Sequence, residues 1–105
     1  MPKVIFNIQY EIPPEKKEEY LSVIKELKNL LTAEGLESYS VYETKGKSQH
    51  YQEQYIFNSV EAYEAFDDDQ NERINILINK LNDMTIEGST KYTTLYELTD
   101  NNSTQ

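Results

Sequence analysis

From Lys3 to Tyr10 polar and apolar positions alternate, with Val4, Phe6, Ile8 and Tyr10 on one face and Lys3, Ile5, Asn7 and Gln9 on the other, which predicts a first strand. The rhythm breaks at "IPPEKKEEY". Pro13 biases Ile12 toward extended backbone, Pro14 suits the first helical position, and Glu15 sits favourably near the helix's positive end. Tyr20, Val23, Ile24, Leu27, Leu30 and Leu31 then return at three- and four-residue spacing, the stripe of a helix whose opposite side carries Lys and Glu. Gly35 is expected to supply its left-handed stop, with Leu36 folding back on the last turn.

From Glu37 to Thr44 the period shortens again and gives Tyr39 and Val41 one face. "TKGKS" reads as a turn around Gly46, followed by a third strand from Gln49 to Phe57, so these two strands form a hairpin. At "NS" the strand hands over to a short helix, "VEAYEAF". Its cap is Asn58 or Ser59, and Asn58 with Glu61 three residues on has the capping-box pattern. The helical region is expected to break near Asp67–Gln70. A second stripe follows in Ile74, Leu77, Ile78, Leu81 and Met84, stopped by "EGS" around Gly88. A last strand runs from Thr90 to Leu98, with Tyr92, Thr94, Tyr96 and Leu98 sharing a face.

The order β-α-β-β-α-β predicts a ferredoxin-like α+β domain over residues 1–98 with a flexible tail at 99–105. Right-handed crossovers place strand three between strands one and two and strand four outside strand one, giving an antiparallel sheet of order 4-1-3-2 with both helices on one face. The other face carries Ile5, Ile56 and Leu95, an apolar surface that a second copy would shield through sheet-to-sheet packing. A homodimeric α/β barrel is therefore expected.

Composition narrows the partners. Nineteen acidic against ten basic residues leave a formal charge of −9, which opposes a phosphate backbone, so nucleic acid is not an expected partner. The first ten residues lack a signal-like apolar run, and no segment approaches the ~20 apolar residues of a membrane span. A cytoplasmic location and no membrane partner are expected. Without cysteine there is no thiolate nucleophile and no Cys-ligated metal. No P-loop, dinucleotide fingerprint, G-x-S-x-G or H-E-x-x-H occurs, which leaves kinase, dehydrogenase, hydrolase and zincin chemistry without support.

The stretches "VIFNIQYEIPPEKKEEYLSVIKEL", "SYSVYETKG" and "YQEQYIFNSVEAYEAF" together resemble the dimeric α/β-barrel superfamily, and within it the antibiotic-biosynthesis-monooxygenase-like group. The group's third strand commonly runs into an aromatic segment similar to "YIFNSVEAYEAF". The resemblance implies a homodimer with a small-molecule pocket. It implies no haem: members that degrade haem use an Asn on strand one, which Asn7 matches, but their Trp falls near Phe66 and their iron-ligating His near Ile76, and this chain has no tryptophan. Other members oxidise aromatic quinols without metal or flavin, letting the substrate itself activate oxygen. An activity of that kind, with no cofactor, is one expectation, and a non-catalytic dimer that binds a small molecule or partner protein is the other.

The residues that would carry chemistry are few. Asn7 would orient a substrate oxygen, with Glu53 or His50 as proton acceptor. His50 is the single imidazole, either a general base or a wet hairpin residue. Glu53 shares a strand face with Tyr51, Tyr55 and Phe57; turned toward the helices it would be desolvated, and otherwise it pairs with a lysine at the sheet rim. Nine tyrosines offer Tyr10, Tyr51, Tyr55 and Tyr63, with Phe66, as walls for a planar aromatic ligand, or serve as strand formers and interface residues. Asp67, Asp68 and Asp69 lack the glycine-punctuated loop a calcium site needs and read as a solvated helix break, so no metal is expected.

Overall fold

A computed structural model describes residues 2–66 and 71–98; the Asp67–Asp69 run, the helix break expected there and the tail at 99–105 lie outside the described residues. The elements are β1 (Val4–Glu11), a 3-10 turn (Pro14–Lys16), α1 (Lys17–Leu30), β2 (Leu36–Glu43), β3 (His50–Phe57), α2 (Val60–Ala65), α3 (Glu72–Met84) and β4 (Lys91–Tyr96). All pairs are antiparallel, and the sheet order β2-β3-β1-β4 is the expected 4-1-3-2 arrangement. The fold is ferredoxin-like.

Strand β3 fixes the architecture because it alternates buried and half-buried along its whole length. Tyr51, Glu53, Tyr55 and Phe57 point into the helix layer, where they meet Tyr20, Val23, Ile24 and Leu27 of α1 and Ile74, Leu77, Leu81 and Met84 of α3. Register carries this parity across the sheet. Phe6 pairs with Tyr55, Ile8 with Glu53 and Tyr10 with Tyr51, so these β1 residues share the helix-covered face. Outside the core, α1 and α3 are tied by Arg73, whose guanidinium grips Glu26 through two bonds, the Nη2 to Oε1 contact being 2.6 Å.

Two local expectations are corrected. Helix α1 ends at Leu30, because Leu31 turns extended (ψ 119°) and buries its side chain at 7% exposure. Gly35 (φ +84°) therefore shapes the turn into β2 and is not the helix stop. The cap of α2 is Ser59, whose Oγ accepts the Ala62 N–H at 3.0 Å, and the box on Asn58 does not form. The Asn58 N–H, which Glu61 would accept in a capping box, already donates to the Gly35 carbonyl at 2.8 Å.

The reverse face is apolar at one end only. Ile5 pairs with Ile56 and with Leu95 there. Its centre is amide and hydroxyl: Gln9 Nε2 donates to Gln52 Oε1 at 2.8 Å, Gln52 Nε2 donates to Asn7 Oδ1 at 3.3 Å, and Ser40 and Thr93 complete the Asn7–Gln54 row, while Tyr42 and Lys91 flank the Gln9–Gln52 pair. Parity explains this, since the chain places its bulky aromatics opposite the helices and its short amides on the alternate positions.

Gly35 also packs tightly against α2. A Cβ there would lie 2.4 Å from Ala62 Cβ and 2.9 Å from Asn58 Oδ1, whereas Gly46, also at positive φ, has open space. Gly35→Ala should cost about 2–4 kcal/mol, combining left-handed strain with overpacking, and Gly46→Ala about 1 kcal/mol. Urea denaturation of the two variants side by side checks the difference; equal losses would contradict the close approach.

Candidate functional site

Between the helix-covered face and α3 lies a cavity of about 180 Å³. The sheet supplies Phe6, Ile8, Tyr10, Glu53 and Tyr55, and one face of α3 supplies Ile78, Leu81 and Asn82, with Thr85 just beyond its end. Exposure grades along it. Glu53 at the floor is 2% exposed, while Tyr92 at the mouth is 68% exposed and stacks on Phe6 at 6.1 Å. Asn82, Thr85 and Thr90 make that mouth polar.

Glu53 sits where β3 crosses the middle of the sheet, flanked by Ile8 on β1 and Val41 on β2. Tyr39 reaches it from β2 and donates its hydroxyl to Glu53 Oε1 at 2.7 Å. Tyr10 bonds the Tyr20 hydroxyl at 2.8 Å, and the two rings meet edge to face. Burial first, and the nearby Glu53 charge second, push the Tyr10 and Tyr39 hydroxyls well above the usual phenol range. Burial likewise raises Tyr20, against a lowering by the Tyr10 hydrogen bond. These phenols stay protonated at neutral pH. Tyr39 donates to the carboxylate, Tyr10 and Tyr20 share a hydroxyl bond beside it, and none of the three has capacity as a base there.

The structure brings together some of the residues singled out in the sequence and separates others. Glu53, Tyr10 and Tyr55 line the cavity. Tyr51 packs against Tyr20 at 4.7 Å, and Tyr63 and Phe66 pack on Phe57 at 5.7 and 5.3 Å, as core contacts beside the cavity. Tyr63 also bonds Thr94 Oγ1 at 3.1 Å. Asn7 and His50 lie on the other face of the sheet, Asn7 opposite Gln54 and His50 opposite Glu11. His50 is held there by Glu11, with Nε2 3.5 Å from Oε2, and by the Ser48 carbonyl, 3.0 Å from Nδ1. It borders a second depression of about 330 Å³ at the end of the sheet, which Tyr10 and Tyr51 also line, together with Gln9, Glu11, Lys47, Gln52 and Lys91.

Tyr39, Phe6, Ile8, Tyr92 and the α3 residues were not identified from sequence as part of the site. Tyr39 and Ile8 follow from one inference, that Glu53 faces the helices, once the strand registers are known. The mouth depends on how far α3 stands from β4, which no local pattern records.

No family model matches the chain, and no curated protein sequence matches it. Solved structures do. A conserved protein from Methanosarcina mazei superposes with a TM-score of 0.76 at 15% identity, over 93% of this chain and 95% of that one. A protein from Bordetella bronchiseptica, provisionally named an antibiotic biosynthesis monooxygenase, gives 0.73 at 10% identity over 94% and 100%. SnoaB from Streptomyces nogalater, described as a cofactor-independent oxygenase and solved as a point mutant, gives 0.67 at 11% identity over 89% and 90%. The chain thus has the fold of the antibiotic-biosynthesis-monooxygenase-like proteins, as the sequence resemblance implied. No helix among the described residues is long and apolar enough to cross a membrane.

The raised tyrosines set an alkaline limit. A folded-state pKa above the ordinary phenol value of 10.0 gives stability that is present below that value and lost as pH rises past it, because the unfolded chain ionises first. Each such group should steepen the loss by up to about 1.4 kcal/mol per pH unit. Stability should fall steeply between about pH 10 and 11, and less steeply in Tyr39→Phe. Urea titrations across that range measure it; an unchanged slope in Tyr39→Phe would contradict the buried contact.

Proposed function

We propose that this protein is a homodimer whose protomers each hold a small ring-shaped substrate in the cavity above Glu53, and that it oxidises that substrate with molecular oxygen without a bound cofactor. One observation carries the reading: a carboxylate at 2% exposure opens onto an aromatic-walled cavity of about 180 Å³. Phe6, Tyr55 and Tyr92 hold a planar ring, and Glu53 accepts the proton of its hydroxyl or enolisable C–H. The electron-rich anion then reduces oxygen. Balanced, a ring CH₂ loses two hydrogens, one oxygen atom becomes the product carbonyl and the other leaves as water. The oxygenase description of SnoaB supports this chemistry by analogy of fold, and the buried floor of the cavity supports it by keeping water from the anion.

In this reading Asn7 and His50 serve the reverse face, which is the dimer surface. Ile5, Ile56 and Leu95 form its apolar end, and the Gln9–Gln52–Asn7 chain offers uncharged donors and acceptors to the same chain of a second copy across a two-fold axis. The protein is expected to sediment as a dimer at micromolar concentration, and Ile56→Lys is expected to weaken association by at least about tenfold. A wild-type monomer in that range would remove the assembly from the proposal.

A second reading is a binder without chemistry. It is favoured by the sheet lying between Glu53 and both Asn7 and His50, which leaves the cavity with Glu53 as its carboxylate among neutral phenols. Oxygen uptake with hydroxyarenes of one to three rings separates the two. The enzyme reading expects turnover that falls about 100-fold in Glu53→Gln and is little changed in Asn7→Ala. Binding without oxygen uptake leaves the binder alone.

A further inference from the structure

We infer that the cavity selects its ligand by charge and size: a neutral molecule of one or two fused rings, bearing a hydrogen-bond donor toward Glu53 and a polar group toward Asn82 and Thr85, with carboxylated or phosphorylated analogues rejected. The inference rests on the reading above that the cavity is the ligand site, and it goes beyond it by naming the class of molecule.

Three observations converge. The volume is about 180 Å³, and a dry cavity of about 150 Å³ holds a benzene-sized guest, so one or two fused rings are accommodated inside and a third projects through the mouth at Tyr92. The polarity is graded: Glu53 with the Tyr10 hydroxyl lies at the floor, Phe6, Ile8, Ile78 and Leu81 surround the middle, and Asn82, Thr85 and Thr90 stand at the mouth. The middle offers nothing to a polar group, so a ligand's polar ends must fall at floor and mouth. The third is sign. At the floor lies the Glu53 carboxylate, to which Tyr39 donates, and among the described residues no Lys or Arg lines the cavity to balance a second negative group. The chain as a whole carries −9, which also disfavours an approaching anion. Lys47 and Lys91 border the depression at the end of the sheet, which shares Tyr10 with this cavity, and do not line the cavity itself.

The test uses the intact wild-type protein and four probes: 1-naphthol, 1-methoxynaphthalene, 1-naphthoate and anthrone. The chain has no tryptophan, so naphthyl fluorescence can be excited beyond tyrosine absorption, and calorimetry serves for anthrone. 1-Naphthol should bind at least about tenfold more tightly than 1-methoxynaphthalene, which lacks the donor, and than 1-naphthoate, which adds the charge. Anthrone should bind more weakly than 1-naphthol. In Glu53→Gln the discrimination against 1-naphthoate should shrink to within about threefold while 1-methoxynaphthalene is unaffected, and a melting curve on that variant establishes that it is folded. 1-Naphthoate or anthrone binding as tightly as 1-naphthol overturns the selectivity and leaves the cavity as a ligand site. Wild-type protein that saturates with none of the four overturns the ligand site itself. A folded Glu53→Gln with unchanged ranking overturns the role of Glu53 in the selection.

Discussion

A carboxylate has been built into the middle of the helix-covered face of a sheet, and the surrounding structure is arranged to make that tolerable. Glu53 would be costly among Tyr55, Ile8 and Leu81 without donors. Tyr39 provides one at 2.7 Å, and the Tyr10–Tyr20 hydroxyl pair is neighbouring polar structure that feels its charge. The tyrosine-rich composition follows from this. A phenol gives a core-sized apolar ring and a hydroxyl that can reach the charge, which neither Phe nor Leu can do. Rings such as Tyr51, Phe57 and Phe66 then fill the space on either side by tilted, stacked and edge contacts.

The same alternation that buries Glu53 decides what the two faces are for. Every second residue of β1 and β3 goes to the helix side and is aromatic, aliphatic or the carboxylate itself; half of the intervening residues are amides, Asn7, Gln9, Gln52 and Gln54. The sheet is thus a partition. On one side a small, graded cavity is left where α3 stands off β4, and on the other a polar field with an apolar end is presented outward, with Glu11, His50 and Lys91 at its opposite end. A chemistry shared between Asn7 and Glu53 cannot be carried out across that partition within one protomer.

Much of the fold could be read from the chain because its signals are local. Alternation in β1 and β3, helical stripes from Tyr20 and Ile74, and glycines at turns fix the element order, and crossover handedness then fixes the strand order. The misreadings arose where tertiary contacts outweighed local preference. Leu31 left the helix early to enter the core, and the Asn58 N–H was taken by the Gly35 carbonyl, so the capping box with Glu61 did not form and Ser59, the other cap expected, closes the helix. The site was half legible. Parity already set Asn7 apart from Tyr10 within β1, but relating Glu53 to either required the β1–β3 register, and the mouth at Tyr92, Asn82 and Thr85 required the spacing between an edge strand and a helix.

Tyr39 and Glu53 are coupled partners at the buried floor of the cavity. A double-mutant cycle on Tyr39→Phe and Glu53→Gln, followed by urea denaturation at neutral pH, tests it most directly. The account predicts a coupling energy of about 1–3 kcal/mol, the scale of a hydrogen bond to a charged group shielded from water. Strictly additive losses would mean that the two side chains do not depend on one another, and the carboxylate would have to be placed elsewhere.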